Sequence, residues 1–266
     1  MRALLIDLDE TLYVEEPAAV AAFAATAQAA STQDERLDAA RLALDARARA
    51  RELWRRSPLH PYCSRIGISS WEGMWCRFAG EVKEMRALRA WSGEYRRGAW
   101  SAALADQGVH DDSLVGQLAS RFGVERRTRH AVFAEAPEVL AALHGPWMVA
   151  IVTNGAPCLQ REKLAASGLQ AHVDAVVVAG DADVGAGKPD GAIFRRALAA
   201  LGLPSGGEAV MVGDSLARDV DGATAAGLRA VWVNRAHDPL PEGREPVAQV
   251  ADLRELIGLL DELVPA

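Results

Sequence analysis

The sequence predicts an α/β fold: a doubly wound parallel sheet whose chain is interrupted, directly after its first strand, by an inserted all-helical domain. Three observations carry this expectation. From about residue 131 onward, short branched apolar runs alternate with helical segments, the pattern of a parallel sheet with helices on both faces. Residues 14–130 lack strand-like runs and are rich in Ala, Arg, Leu and Trp at helical spacing; such a stretch is too long for a loop and reads as a domain of its own. Polar residues follow the strands at Asp7, Thr153 and Asp214, and the carboxyl edge of such sheets is where ligands bind. The expected boundaries are 1–13 with 131–266 for the sheet domain and 14–130 for the insert.

The first strand, Ala3–Ile6, is short, apolar and sized for burial. It runs into Asp7-Leu8-Asp9-Glu10-Thr11. Residues two apart on extended chain point to the same side, so Asp7 and Asp9 are neighbours of like charge. Stability alone would not place them there. The pair makes sense if a cation sits between them, or if one acid attacks while the other shuttles a proton; a polar turn or helix cap is the plainer alternative.

In the insert, Thr32-x-x-Glu35 predicts a capping box opening a long helix through Arg56, ended by Pro58 and Pro61. A second box, Ser69-x-x-Glu72, predicts a helix carrying Trp71, Trp75 and Phe78. Glu94–Asp106, closed by Gly108, and Asp112–Phe122, closed by Gly123, are the remaining candidates. The sheet domain then resumes with a helix at Pro137–Leu143 and a strand at Trp147–Val152 leading into Thr153-Asn154-Gly155. Next come a helix at Pro157–Ser167 and a strand at Val173–Ala179. Asp181 and Asp183 read as loop residues. A helix at Pro189–Leu201 precedes a strand at Ala209–Val212, which leads into Gly213-Asp214-Ser215. Leu216–Ala226 is helical, Arg229–Val233 a strand, His237–Pro246 a loop and Ala251–Leu263 a last helix.

Half of the 266 residues are hydrophobic and the net charge is −7, which argues against a nucleic-acid partner. The charge is uneven: residues 14–133 carry 18 Lys and Arg against 15 Asp and Glu, the remainder 11 against 21. Cys63, Cys76 and Cys158 form no paired framework, so a reducing, cytoplasmic compartment is expected. No stretch is long and apolar enough to span a membrane. The Ala-rich run Pro17–Ala30 follows two acids, Glu15 and Glu16, unlike a signal peptide. A monomer or homodimer is expected.

Four pieces in order resemble the haloacid dehalogenase (HAD) superfamily, in its branch with a helical cap inserted after the first motif. Asp7-Leu8-Asp9-Glu10-Thr11 resembles the first motif, DxDxT, and Thr153 in Ile-Val-Thr-Asn-Gly the second. Lys188 in Gly-Lys-Pro-Asp-Gly resembles the third, and Gly213-Asp214-Ser215-Leu216-Ala217-Arg218-Asp219 the fourth, GDSxxxD. The match covers the α/β part; the cap matches in position and helicity only. Gly191 stands where the family often has Pro, and Glu10 occupies a variable position.

The resemblance implies a Rossmann-like core and a Mg²⁺-dependent phosphatase acting on a small phosphorylated metabolite of the nucleoside or sugar phosphate class. Asp7 would be the nucleophile, forming an aspartyl phosphate. Asp9 would protonate the leaving oxygen and then take a proton from water. Thr153, with Asn154 and Gly155 behind it, and Lys188 would hold the phosphoryl oxygens. Asp7, Asp214 and the backbone carbonyl of Asp9 would hold Mg²⁺, with Asp219 in support. Arg96, Arg97 and Trp100 in the cap are candidate substrate contacts, suited to an anion and a ring. Within the family, a dehalogenase attacks carbon and needs no general acid two residues on, so Asp9 disfavours it. A phosphonatase needs a cap lysine, and the cap has only Lys83. A phosphomutase keeps the same core and differs in its product. Outside it, a non-catalytic binding module would be expected to have lost at least one of these groups.

Overall fold

The computed structural model describes residues 2–203 and 208–265. Strand β1 (Ala3–Ile6) is followed by six helices: α1 (Glu16–Ser31), α2 (Ala39–Arg56), α3 (His60–Ile66), α4 (Ser70–Gly73), α5 (Lys83–Ala105) and α6 (Asp112–Arg127). Then come α7 (Ala136–Leu143), β2 (Met148–Thr153), α8 (Pro157–Ser167), β3 (Ala175–Val178), α9 (Gly191–Ala200) and β4 (Ala209–Gly213). The chain finishes with α10 (Asp221–Ala225), β5 (Arg229–Val233), β6 (Ala248–Val250) and α11 (Leu256–Leu263). It divides into two compact units, Met1–Val14 with Val132–Ala266, and Glu15–Ala131.

The first unit is built on a six-stranded parallel sheet of order β3-β2-β1-β4-β5-β6. All four residues of β1 are fully buried, which explains a continuous rather than alternating apolar run. Leu4 and Ile6 join Val149, Ile151, Val210 and Val212 in one core with Val139 and Leu140 of α7 and Leu256 and Leu260 of α11. Helix α9 packs on β2 and β3. Its buried Ile193, Phe194 and Ala197 lie outside that core, so it covers the opposite face.

Register sets the site. Ile6 lies beside Ile151 on one side and Val212 on the other. Asp7, Thr153 and Asp214 follow within two residues and emerge at one edge. The short strand β6 was not anticipated: Ala248–Val250 follows a loop rich in Pro, Gly and charge, and its strand conformation depends on pairing with β5. The helix after Gly213-Asp214-Ser215 opens with a wide, π-type turn, Leu216–Val220, before α10.

In the second unit, α1, α2, α5 and α6 pack against one another. Phe23, Trp100 and Phe122 form one aromatic cluster, and Trp54, Phe78, Trp91 and Tyr95 another. A buried ion pair, Arg126 to Glu15 at 2.5 Å, joins α6 to the residue before α1.

The insert departs from expectation at several helix ends. Thr32 ends α1 rather than opening a helix, because the Ala-rich run, a strong helix former, propagates through Ser31. Asp38 caps α2 instead, accepting from the Arg41 N–H at 3.0 Å. A further helix, α3, forms with Pro61 in its first turn, where the missing N–H costs nothing. The Ser69–Glu72 capping box is present, but α4 stops at Gly73, before Trp75 and Phe78. Helix α5 begins at Lys83 rather than Glu94, and α6 continues through a buried Gly123 to Arg127.

Candidate active site

Asp7 is buried at the end of β1, its amide donating to Val212 O at 2.9 Å. Lys188, equally buried, brings Nζ to 2.5 Å from Asp7 Oδ1 and 2.7 Å from Asp219 Oδ1, and donates to the Val152 carbonyl at 2.8 Å. Asp7, Asp214 and Asp219 each place a carboxylate oxygen within 4.8 Å of the others'. One ammonium therefore faces three carboxylates. The Thr11 hydroxyl lies 3.5 Å from both Asp7 Oδ2 and Asp214 Oδ1, and accepts from the Asp214 amide at 3.0 Å.

The electrostatics follow from that crowding. Burial pushes the Asp7 carboxyl well above the usual carboxylate range; Lys188 pulls it back, while Asp219 and Asp214 add to the rise. Burial, then the charge of Asp219, raises Asp214 to about 6. Burial works against the charge on Lys188, but Asp219 and Asp7 outweigh it and hold its pKa above the ordinary lysine value.

Local structure fixes each group. Asp219 accepts from the Ser215 amide at 2.9 Å and lies so close to the chain that a Cβ on Gly213 would stand 2.3 Å from its Cγ; only glycine fits there. Asn154 splints the backbone of Lys188, donating to its carbonyl at 3.0 Å and accepting from its amide at 2.7 Å. Gly155 turns the chain at φ +128°, with the Gln160 side chain against it. The Trp232 indole donates to the Asp214 carbonyl at 2.8 Å.

Asp9 stands apart from this cluster. Lys163 Nζ contacts its two oxygens at 2.9 and 3.0 Å, and Gln160 Nε2 donates to Oδ2 at 2.8 Å and to the Thr153 hydroxyl at 2.7 Å. Sequence reasoning passed over Gln160 and Lys163. Their signal was polar side chains three apart, hence on one face, beside the apolar Leu159 and Leu164 of the same short helix. The candidate cap residues lie among contacts of the helical unit. Arg96 donates to the Gly73 and Cys76 carbonyls, Arg97 pairs with Asp112, and Trp100 is fully buried against Phe23 and Phe122. Asp181 and Asp183 pair with Arg161 and Arg196.

A parallel sheet carrying acids and a lysine at its carboxyl edge, with a helical unit inserted after the first strand, is the architecture of a group of hydrolases. The model of the haloacid dehalogenase-like hydrolase family matches residues 1–227, and the chain belongs to that family. It is 38% identical to the phosphoserine phosphatase of Thermus thermophilus over 96% of this chain and 98% of that one. It is also 38% identical to the pyrimidine 5'-nucleotidase YjjG of Escherichia coli, over 47% of this chain and 55% of the relative. Among solved structures, the 2-haloacid dehalogenase of Pseudomonas syringae superposes with a TM-score of 0.64 at 25% identity, covering 99% of this chain and all of that one.

Proposed function

We propose that the protein is a Mg²⁺-dependent phosphatase that hydrolyses a small phosphorylated metabolite through an aspartyl phosphate on Asp7. One observation carries this reading: two carboxylates two residues apart stand in separate networks, Asp7 with Lys188 and two further acids, Asp9 with Gln160 and Lys163. That separation suits two different tasks.

The acid group fits a divalent cation. Its donors are hard oxygens, and three carboxylates against one ammonium leave two negative charges in excess. Asp7, Asp214 and the Asp9 carbonyl would hold Mg²⁺, with Asp219 behind them. Bound there, the cation would favour the ionised form of Asp7 and offset phosphoryl charge.

The chain's own residues account for the steps. An Asp7 oxygen attacks phosphorus as the bond to the leaving oxygen breaks, and Asp9 gives that oxygen a proton. Water then attacks phosphorus, its proton passing to Asp9; phosphate leaves and the Asp7 carboxylate is restored. Lys188 and the Thr153 hydroxyl steady the phosphoryl oxygens. Asn154 sets the position of Lys188, and Gly155 shapes the turn after Thr153.

The likeness to a haloacid dehalogenase favours a second reading, in which Asp7 attacks carbon and expels halide. That chemistry gives Asp9 no proton to deliver. The relatives supply candidate substrates. The phosphoserine phosphatase, matched along nearly its whole length, puts phosphoserine beside the nucleoside and sugar phosphates. A panel of O-phosphoserine, nucleoside 5'-monophosphates, sugar phosphates, 4-nitrophenyl phosphate and 2-chloropropionate, with Mg²⁺ and with chelator, tests the proposal. Metal-dependent phosphate release is expected; halide release without phosphate release would overturn it.

A further inference from the structure

We propose that Lys163 and Gln160 are positioning residues that clamp Asp9 from behind and tie it to Thr153, an inference that rests on the phosphatase reading above. Both side chains are fully buried, whereas the Asp9 side chain is 24% exposed. The contacts lie on its inner side and leave the acid open outward. Lys163 spans both carboxylate oxygens and Gln160 adds a third contact, so the plane of the carboxylate is set as well as its place. The Tyr13 ring lies 5.8 Å from the Lys163 ammonium.

The same Gln160 nitrogen also donates to the Thr153 hydroxyl, which fixes the spacing between the proton donor and a phosphoryl-binding group. These contacts join the segment after β1, the end of β2 and α8 at the carboxyl edge of the sheet. Burying a lysine is costly, and an apolar residue often serves stability as well or better. A lysine on both oxygens of an acid placed to move protons suits orientation more than stability.

The test compares Lys163→Met, Gln160→Leu and the conservative Lys163→Arg with the wild type, all with Mg²⁺. The substrates are the best alkyl phosphate of the panel and 4-nitrophenyl phosphate, whose leaving group needs no proton. A misplaced Asp9 lowers kcat on the alkyl ester on the order of 10²-fold with KM little changed. On the aryl ester it gives a burst of about one nitrophenolate per enzyme, followed by slow turnover, because water still needs a base. Lys163→Arg should recover much of the loss. Equal losses on both esters with no burst, or full activity in Lys163→Met and Gln160→Leu, would overturn the clamp. Should Lys163→Met fail to fold, Gln160→Leu carries the test alone. A wild type that releases no phosphate from any ester overturns the phosphatase reading itself, an outcome distinct from a variant-specific failure.

Discussion

Asp7 and Asp9 differ in setting although one residue separates them. Asp7 shares a buried pocket of charge with Lys188, Asp214 and Asp219, where acids outnumber bases. Asp9 faces one lysine and one amide and is partly open to solvent. The first arrangement is poorly balanced by itself and suits a cation. The second is balanced and suits a group whose orientation matters. In this chain the DxD pair therefore has two settings: alternation brings the acids together, and neighbouring elements then give each its own partners.

Removing the Lys188 ammonium, which contacts Asp7 and Asp219, should break the contrast most strongly. Lys188→Met should lower kcat about 10²–10³-fold, the loss typical of one transition-state donor, in steady-state phosphate release. Retention of near wild-type kcat would mean that Asp7 works without it.

A smaller effect sharpens the same contrast. Asp214 titrates at about 6 in the folded protein, above its ordinary 3.8. A raised carboxyl contributes stability that is complete below the lower value and lost as pH rises through the upper one. The metal-free protein should lose that contribution between pH 4 and 7. Added Mg²⁺ should then stabilise more at pH 8 than at pH 5, where it must displace protons. At a hundredfold excess over its Kd, a cation is worth about 2.7 kcal/mol, readable as a rise in Tm. An equal shift at both pH values would place the cation away from Asp214.

The sheet unit was largely legible because its signals are local. Ala3–Ile6 is apolar throughout since both faces of β1 are covered, and turn glycines such as Gly168 and Gly227 punctuate the helices that follow. Asp7, Thr153 and Asp214 stood out as polar residues after strands and Asp9 as the acid two along from Asp7, whereas Lys188 and Asp219 stood out only through their resemblance to family motifs. Lys163 and Gln160 did not, because their partner lies more than 150 residues away and a buried lysine on a helix resembles an exposed one until that partner is known. In the helical unit, Thr32-x-x-Glu35 had the spacing of a cap, yet Asp38 took the role. Helix ends there depend on where the Ala-rich α1 stops and how the chain reverses, which no four-residue pattern encodes.

In the proposed mechanism Asp7 bonds to the phosphoryl group and Asp9 only moves protons. A rapid-mixing experiment with 4-nitrophenyl phosphate and Mg²⁺ tests it directly in Asp7→Asn and Asp9→Asn. No burst is expected from Asp7→Asn, and from Asp9→Asn a burst near one nitrophenolate per enzyme followed by slow turnover. A burst from Asp7→Asn, or steady wild-type turnover from Asp9→Asn, would contradict it.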